Sequence, residues 1–286
     1  MGRERFRRGL ELLERSRPTR VRAGQRLPGG ILLKSAEEIA KLRESGRLVA
    51  ELFQLLGQNM RPGAVLRDLD AMVAEQIQRR GAQTLYRGYR GKPPTQPPFP
   101  GVICASVNEE ICHGIPDARR LEEGDIVGID IGLRYQGWCG DACVTYAVGQ
   151  TSPEAARLLQ VAEECLWKGI AAARPGRPMR ELGAAIQEHA EGHGYSVVTA
   201  WGGHGLGQAL HEPPSVPHTG DDSPLGRIVL REGMVFTIEP MINAGSPDCR
   251  MLDDGWTVVT TDDRLSAQFE HTVAITAEGP VVLSAL

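Results

Sequence analysis

The chain has 286 residues, 41% hydrophobic and 24% charged, with a net charge of −4 at neutral pH. These values exclude a disordered polypeptide and leave room for one large or two small globular domains. No stretch approaches the ~20 apolar residues of a membrane span, and residues 1–30 lack the apolar region of a secretory signal. The six Cys include no C-x-x-C pair, which fits reduced thiols, so a cytoplasmic protein is expected.

Charge is uneven along the chain. Residues 1–30 hold nine Arg and three Glu, and end in Gly29-Gly30. They read as a mobile extension, either a solvated tail or a segment that contacts nucleic acid or the ribosome or directs targeting. Ordered structure is expected to begin at Ser35, which with Glu38 forms a capping box. Ile39, Leu42, Val49, Leu52, Phe53 and Leu56 follow at helical spacing.

Residues 61–81 match residues 174–194, with eight identities in 21 positions at an offset of 113. Arg61-Pro62-Gly63 recurs as Arg174-Pro175-Gly176, and Gly81 as Gly194. Residues 121–130 then resemble 230–239 at an offset of 109, each a Gly-containing turn leading into a strand that ends in a carboxylate. Both matches, in the same order, imply a single domain over 31–286 made of two homologous halves, 31–150 and 151–286. Between the first repeat and residue 104, residues 92–100 are Pro-rich and read as a stiff surface loop.

Residues 126–131 and 143–148 are β-like and flank a turn. With Tyr135-Gln136 as a two-residue hairpin loop, Asp130 would face Asp141 directly. Ser152-Pro153 starts another helix, with a capping side chain followed by proline at the first helical position. His204 lies among four glycines in residues 202–207, with His211 seven residues on. Glu239 ends, and Glu270 begins, an apolar strand. Buried carboxylates need partners, yet these strands contain few Lys or Arg.

If the halves pack about a pseudo-twofold axis, Asp130 and Glu239 become neighbours. Without a cation, two such acids would repel and one would hold a proton. Asp130, Asp141, His204, Glu239 and Glu270 together make an oxygen-rich set suited to two divalent ions of the Mn, Fe(II) or Co type.

At these residues the chain resembles type I methionine aminopeptidases. Residues 108–116, 203–207, 236–241, 253–257 and 268–272 carry the likeness, which runs from about residue 35 to 284 in the same order as the signature segments. The resemblance implies an α/β (α+β) "pita-bread" fold, with two related halves around a curved antiparallel sheet and helices outside. It implies that Asp130, Asp141, His204, Glu239 and Glu270 hold two divalent metal ions (Co, Mn, Fe(II), Ni or Zn), Asp141 and Glu270 bridging both. A hydroxide between the ions would attack the scissile amide, and Glu239 would shuttle the proton. His113 and His211 would bind the substrate amide and stabilise the intermediate. Tyr89, Phe99, Cys104, Cys112, Leu210 and Trp256 would form the methionine pocket.

The implied activity is removal of the initiator methionine from nascent polypeptides with a small second residue. A monomeric cytoplasmic enzyme with no membrane association is expected, with the basic extension as a ribosome contact. Cys139 and Cys143 depart from the family pattern beside the metals, which suggests a site sensitive to oxidation or favouring softer metals. Two other readings are a prolidase-type hydrolase with the same ligands and a non-catalytic module keeping the fold. The second predicts broken ligands, and all five are present.

Overall fold

The computed structural model describes residues 24–91 and 96–286. Residues 1–23 of the basic extension and 92–95 of the Pro-rich segment lie outside the described residues. The rest of the extension is tied to the body, because Arg26 bridges to Leu32 and the buried Ile31 and Leu33 join the apolar core.

Helix α1 (Ala36–Gly57) opens with the expected capping box: Glu38 N donates to Ser35 Oγ (3.3 Å) and Ser35 N to Glu38 Oε2 (2.8 Å). Its buried face includes Leu42, Val49, Leu52, Phe53 and Leu56. Helix α2 (Leu66–Arg79) leads to strands β1 (Gln83–Thr84), β2 (Cys104–Val107), β3 (Glu110–Cys112), β4 (Ile126–Tyr135) and β5 (Trp138–Ala147). Helix α3 (Pro153–Ala172), capped by Ser152, and helix α4 (Arg180–Gly192) begin the second half. Strands β6 (Ser196–Val197), β7 (Gly203–Gly205), β8 (Glu212–Val216), β9 (Val235–Ile238) and β10 (Met241–Asn243) follow. The chain closes with β11 (Cys249–Met251), β12 (Val258–Thr260), β13 (Ser266–Gln268), β14 (Glu270–Thr276) and β15 (Gly279–Val282). None of these helices is long and apolar enough to cross a membrane.

The main sheet is curved, antiparallel and nine-stranded, with the order β1-β4-β5-β14-β9-β7-β8; β2 joins β4 and β15 joins β14. Side chains of a strand alternate between faces. On β4 the odd positions Val127, Ile129, Ile131 and Leu133 pack with Val49, Leu52 and Leu56 of α1 and Leu69 and Val73 of α2. The even positions, Gly128, Asp130 and Gly132, face the opposite side. In the second half, Phe236, Ile238, Val273 and Ile275 pack with α3 and α4 in a second apolar core. Helices therefore cover one face of the sheet and leave the other for the acids.

Backbone contacts recur at the offsets of the sequence repeat. Gly63 N donates to Leu121 O (2.7 Å) as Gly176 N does to Leu230 O (2.8 Å). The isolated bridges Val65–Arg120 and Pro178–Val229 occupy matching places.

One local expectation is corrected. The β4–β5 hairpin pairs Tyr135 with Trp138, so its loop is Gln136-Gly137 and Asp130 lies opposite Cys143, not Asp141. Both loop residues have positive φ, 49° and 84°. That is the geometry of a type I′ turn, whose twist matches the flanking strands and which glycine at the second position favours. The register moves by two residues, an even number, so Asp141 stays on the face of Asp130.

Candidate metal centre

Sheet register brings the acids together. Asp130 on β4 lies opposite Cys143 on β5, and Cys143 lies opposite Glu270 on β14. β14 and β9 pair through His271 and Ile238, so the next step of the ladder sets Glu239 beside Glu270. Asp141 sits two residues from Cys143 on the same face. Asp141, Glu239 and Glu270 are all buried.

His204 comes from β7, where its backbone N donates to Thr237 Oγ1 at 2.9 Å. Its Nδ1 donates to Gly205 O at 3.0 Å, which turns Nε2 toward the acids with a free lone pair. Nε2 is 3.5 Å from Asp141 Oδ2 and 3.8 Å from Glu239 Oε1. Asp141, His204 and Glu270 each offer a ligand atom within 4.8 Å of the other two.

The electrostatics fit cations in this cluster. Burial pushes Asp130 up to about 7 against a hydrogen bond from Tyr86 that lowers it, and burial pushes Glu239 up to about 8. Asp141 and Glu270 are raised too, first by burial and then by neighbouring carboxylates. Burial holds His204 down at about 3 and His113 at about 4, with the charge of His211 acting the same way on both. The imidazoles are therefore neutral at pH 7, as ligation or hydrogen bonding to an amide requires. Crowded acids and a neutral, oriented imidazole are the donor set that divalent cations satisfy.

Around this centre several expected pocket residues meet. Phe99 and Trp256 stack edge-to-face at 5.2 Å between centroids, and Tyr89 lies 6.3 Å from Trp256. Tyr89 Oη is 3.1 Å from His211 Nδ1, and the His211 ring is 4.2 Å from that of His204. His113 lies between Trp201 (4.9 Å) and Trp256 (6.5 Å) in left-handed backbone, at φ 58°. Cys104 is opposite Asp130 on the β2–β4 ladder and packs with Phe99 and Trp256. Cys112 packs with Ile111, Val198 and Val258, its Sγ 3.7 Å from His113 Nδ1.

Leu210 is placed differently. It packs with Trp138, Cys139 and Leu206, not with the Phe99–Trp256 pair. The described part of the Pro-rich segment packs onto the Trp256 turn, since Trp256 Nε1 donates to Pro97 O (2.9 Å) and Gln96 Nε2 to Gly255 O (2.5 Å).

The expected oxidation-sensitive thiols are not supported. Cys139 and Cys143 are both buried, and burial raises the Cys139 thiol to about 11 and Cys143 well above its usual range. Protonated, enclosed thiols react slowly with oxidants.

Several residues were missed by sequence reasoning. Tyr86 Oη lies 2.5 Å from Asp130 Oδ1 and 2.9 Å from Asp141 Oδ1. Thr237 Oγ1 donates to Glu239 Oε1 (2.6 Å), and Gln268 Nε2 to its Oε2 (3.4 Å). Buried His218 accepts from Glu239 N at Nε2 (3.2 Å), while its Nδ1 has no partner among the described residues. Tyr86 and His218 sit in irregular segments without periodicity, so only a motif could have exposed them.

The model of metallopeptidase family M24 matches residues 40–277. The chain belongs to that family. Within M24 it is 44% identical to methionine aminopeptidase 1 of Bacillus subtilis over 254 residues, 89% of this chain and 99% of that protein. The solved methionine aminopeptidase of Rickettsia prowazekii superposes on the M24 chain with a TM-score of 0.84 at 38% identity, covering 89% of this chain and 99% of that one. A prolidase from Pyrococcus furiosus shares the fold, with a TM-score of 0.70 at 23% identity over 89% of this chain and 65% of its own.

Proposed function

We infer that this M24 chain is a methionine aminopeptidase that removes the N-terminal methionine of new polypeptides with a small second residue. The observation that carries the reading is the convergence of Asp130, Asp141, Glu239 and Glu270 on one sheet face with His204 Nε2 turned toward them. The 44% identity to the Bacillus subtilis enzyme supports the substrate.

In this reading Asp130, Asp141, His204, Glu239 and Glu270 would hold two divalent cations. Bound cations lower the pKa of water and polarise a carbonyl. The chain's own groups do the rest. Thr237 and Gln268 fix the two oxygens of Glu239, so that this carboxylate takes the proton of the attacking water and passes it to the leaving amine. Neutral His113 and His211 flank the cleft as hydrogen-bond partners for the peptide amide. Tyr89, Phe99, Cys104 and Trp256 would form apolar and sulfur-bearing walls for a flexible thioether, with Cys112 beside His113.

The deciding assay is release of methionine from Met-Ala-Ser, alongside Xaa-Pro peptides, with Mn, Fe(II) or Co added to metal-free protein. Methionine release restricted to metal-loaded protein is expected. Cleavage of Xaa-Pro peptides alone would replace this reading with a prolidase, and no release under any metal would end it. The nine Arg of residues 1–30 support contact with the ribosome in the cytoplasm. Deletion of those residues is expected to weaken co-sedimentation with ribosomes while leaving tripeptide turnover intact.

A further inference from the structure

Tyr86 reaches the metal centre by a route built for it. β1 pairs with the end of β4 through Thr84 and Leu133, and Leu85 N donates to Gly132 O at 3.1 Å. The Tyr86 ring is thereby laid over Gly132, which stands opposite Asp141 and two residues beyond Asp130 on the same face. A Cβ at Gly132 would meet Tyr86 Cε1 at 2.6 Å and Cζ at 2.9 Å. The missing side chain is thus the space the phenol fills. Phe99 meets the ring edge-to-face, at 6.4 Å between centroids.

The hydroxyl ends between two carboxylates, 2.5 Å from Asp130 Oδ1 and 2.9 Å from Asp141 Oδ1. A phenol has a single proton to donate, so it can satisfy one ionised carboxylate at a time. A divalent cation shared by the same two oxygens would lie about 2.0–2.2 Å from each, which overlaps the space held by the hydroxyl. The other side of Asp141 differs. Its Oδ2 faces His204 Nε2 at 3.5 Å, and among the described residues no hydroxyl bridges that pair.

We propose that the Tyr86 hydroxyl competes with a divalent cation for the Asp130 and Asp141 oxygens. The cation on the Asp130 side enters only as the phenol gives up its hydrogen bonds, whereas the position lined by Asp141, His204 and Glu270 meets less of this competition. The proposal rests on the metal-centre reading above and adds a residue that lowers occupancy of the Asp130 position more than that of the Asp141, His204 and Glu270 position. Competition lowers the apparent affinity of one cation position more than the other, so the effect is read as a ratio between two binding constants.

The test is titration of metal-free wild type and Tyr86→Phe with Mn²⁺ alone, followed calorimetrically and by the electron paramagnetic resonance signal of a spin-coupled Mn pair. The Tyr86→Phe ring keeps its seat over Gly132, and far-UV circular dichroism with a melting curve checks the fold. In Tyr86→Phe the weaker Mn²⁺ dissociation constant is expected to fall about tenfold or more, a change of ~1.4 kcal/mol, with the tighter one changing less. The coupled-pair signal then appears at lower added Mn²⁺. An unchanged weaker constant overturns the competition, and a weakened one overturns it in favour of Tyr86 as a ligand. Absence of any Mn²⁺ binding in wild type defeats the metal-centre reading itself, a result distinct from both. Tyr86→Leu repeats the comparison if the phenylalanine variant is poorly folded.

Discussion

Asp130 and Glu239 lie in one transverse row, which runs from Asp130 through Cys143 and Glu270 across β4, β5, β14 and β9. The two central members join the halves of the sheet, whose shared ladder consists of Glu270–Cys143 and His271–Ala142. The acids are thus concentrated where the halves meet, and the expectations below follow from that crowding.

Asp141→Asn keeps the volume of a side chain that faces Asp130, His204 and Glu270 and removes its charge. Turnover of Met-Ala-Ser is expected to fall by more than about 100-fold, because losing a ligand costs at least as much as losing an outer partner of one. Circular dichroism is expected to show an unchanged fold, and the metal-free variant to melt no lower than wild type, since a repulsive charge is gone. Wild-type turnover in the variant would break the assignment.

Metal-free protein is expected to lose stability as pH rises from 6.5 to about 8. Asp130, ordinarily 3.8, and Glu239, ordinarily 4.5, hold their protons up to about 7 and about 8 in the folded chain. Between the unfolded and folded values the native state binds more protons than the unfolded one, so stability declines with pH and levels off above the folded value. His113, His204 and His218 are depressed and act in the opposite sense, but only below their ordinary 6.5. Melting temperatures of the metal-free protein at pH 6.5, 7.2 and 8.0 measure the decline, and saturating Mn²⁺ should remove it. A flat profile without metal would contradict the crowding of the acids.

Trp256→Leu removes the ring that meets Phe99, Tyr89 and His113. KM for Met-Ala-Ser is expected to rise about tenfold with kcat changed far less, the pattern of lost uniform binding. A fall in kcat at constant KM would place Trp256 in the chemistry rather than the pocket.

A Cys139→Ala, Cys143→Ser variant is expected to lose activity in peroxide at the wild-type rate. Both thiols are enclosed and protonated, so oxidation there is slow. Protection of the variant by several-fold would show that the burial is transient.

The four acids and the one imidazole stood out because strands advertise an embedded charge: Glu239 and Glu270 interrupt apolar runs, and the repeat pairs Asp130 with Glu239. The fold class came from the resemblance of the signature segments, and the repeat agreed with it by implying two related halves. The hairpin was misplaced by one loop position, although Gly137 carried the signal. A glycine as second loop residue permits the paired positive φ values of the turn. Tyr86 gave no sign, since its role depends on the room left by Gly132 more than 40 residues away in sequence. Leu210, assigned to the pocket by resemblance, falls in the apolar cluster of Trp138, Cys139 and Leu206, and nothing in its sequence neighbours shows which cluster would take it.

The two arms of the sheet carry different side chains toward the acids. Ser106 on β2 lies opposite Gly128, two residues before Asp130. His204 on β7 is bonded to Thr237, two residues before Glu239. Thiol faces carboxylate at the seam, Cys143 against Glu270. A pair of identical arms would present the same chemistry from both ends and would treat either direction of a bound peptide alike. With the His204 imidazole on one arm and the Tyr86 phenol on the other, the face that carries the acids acquires a head and a tail.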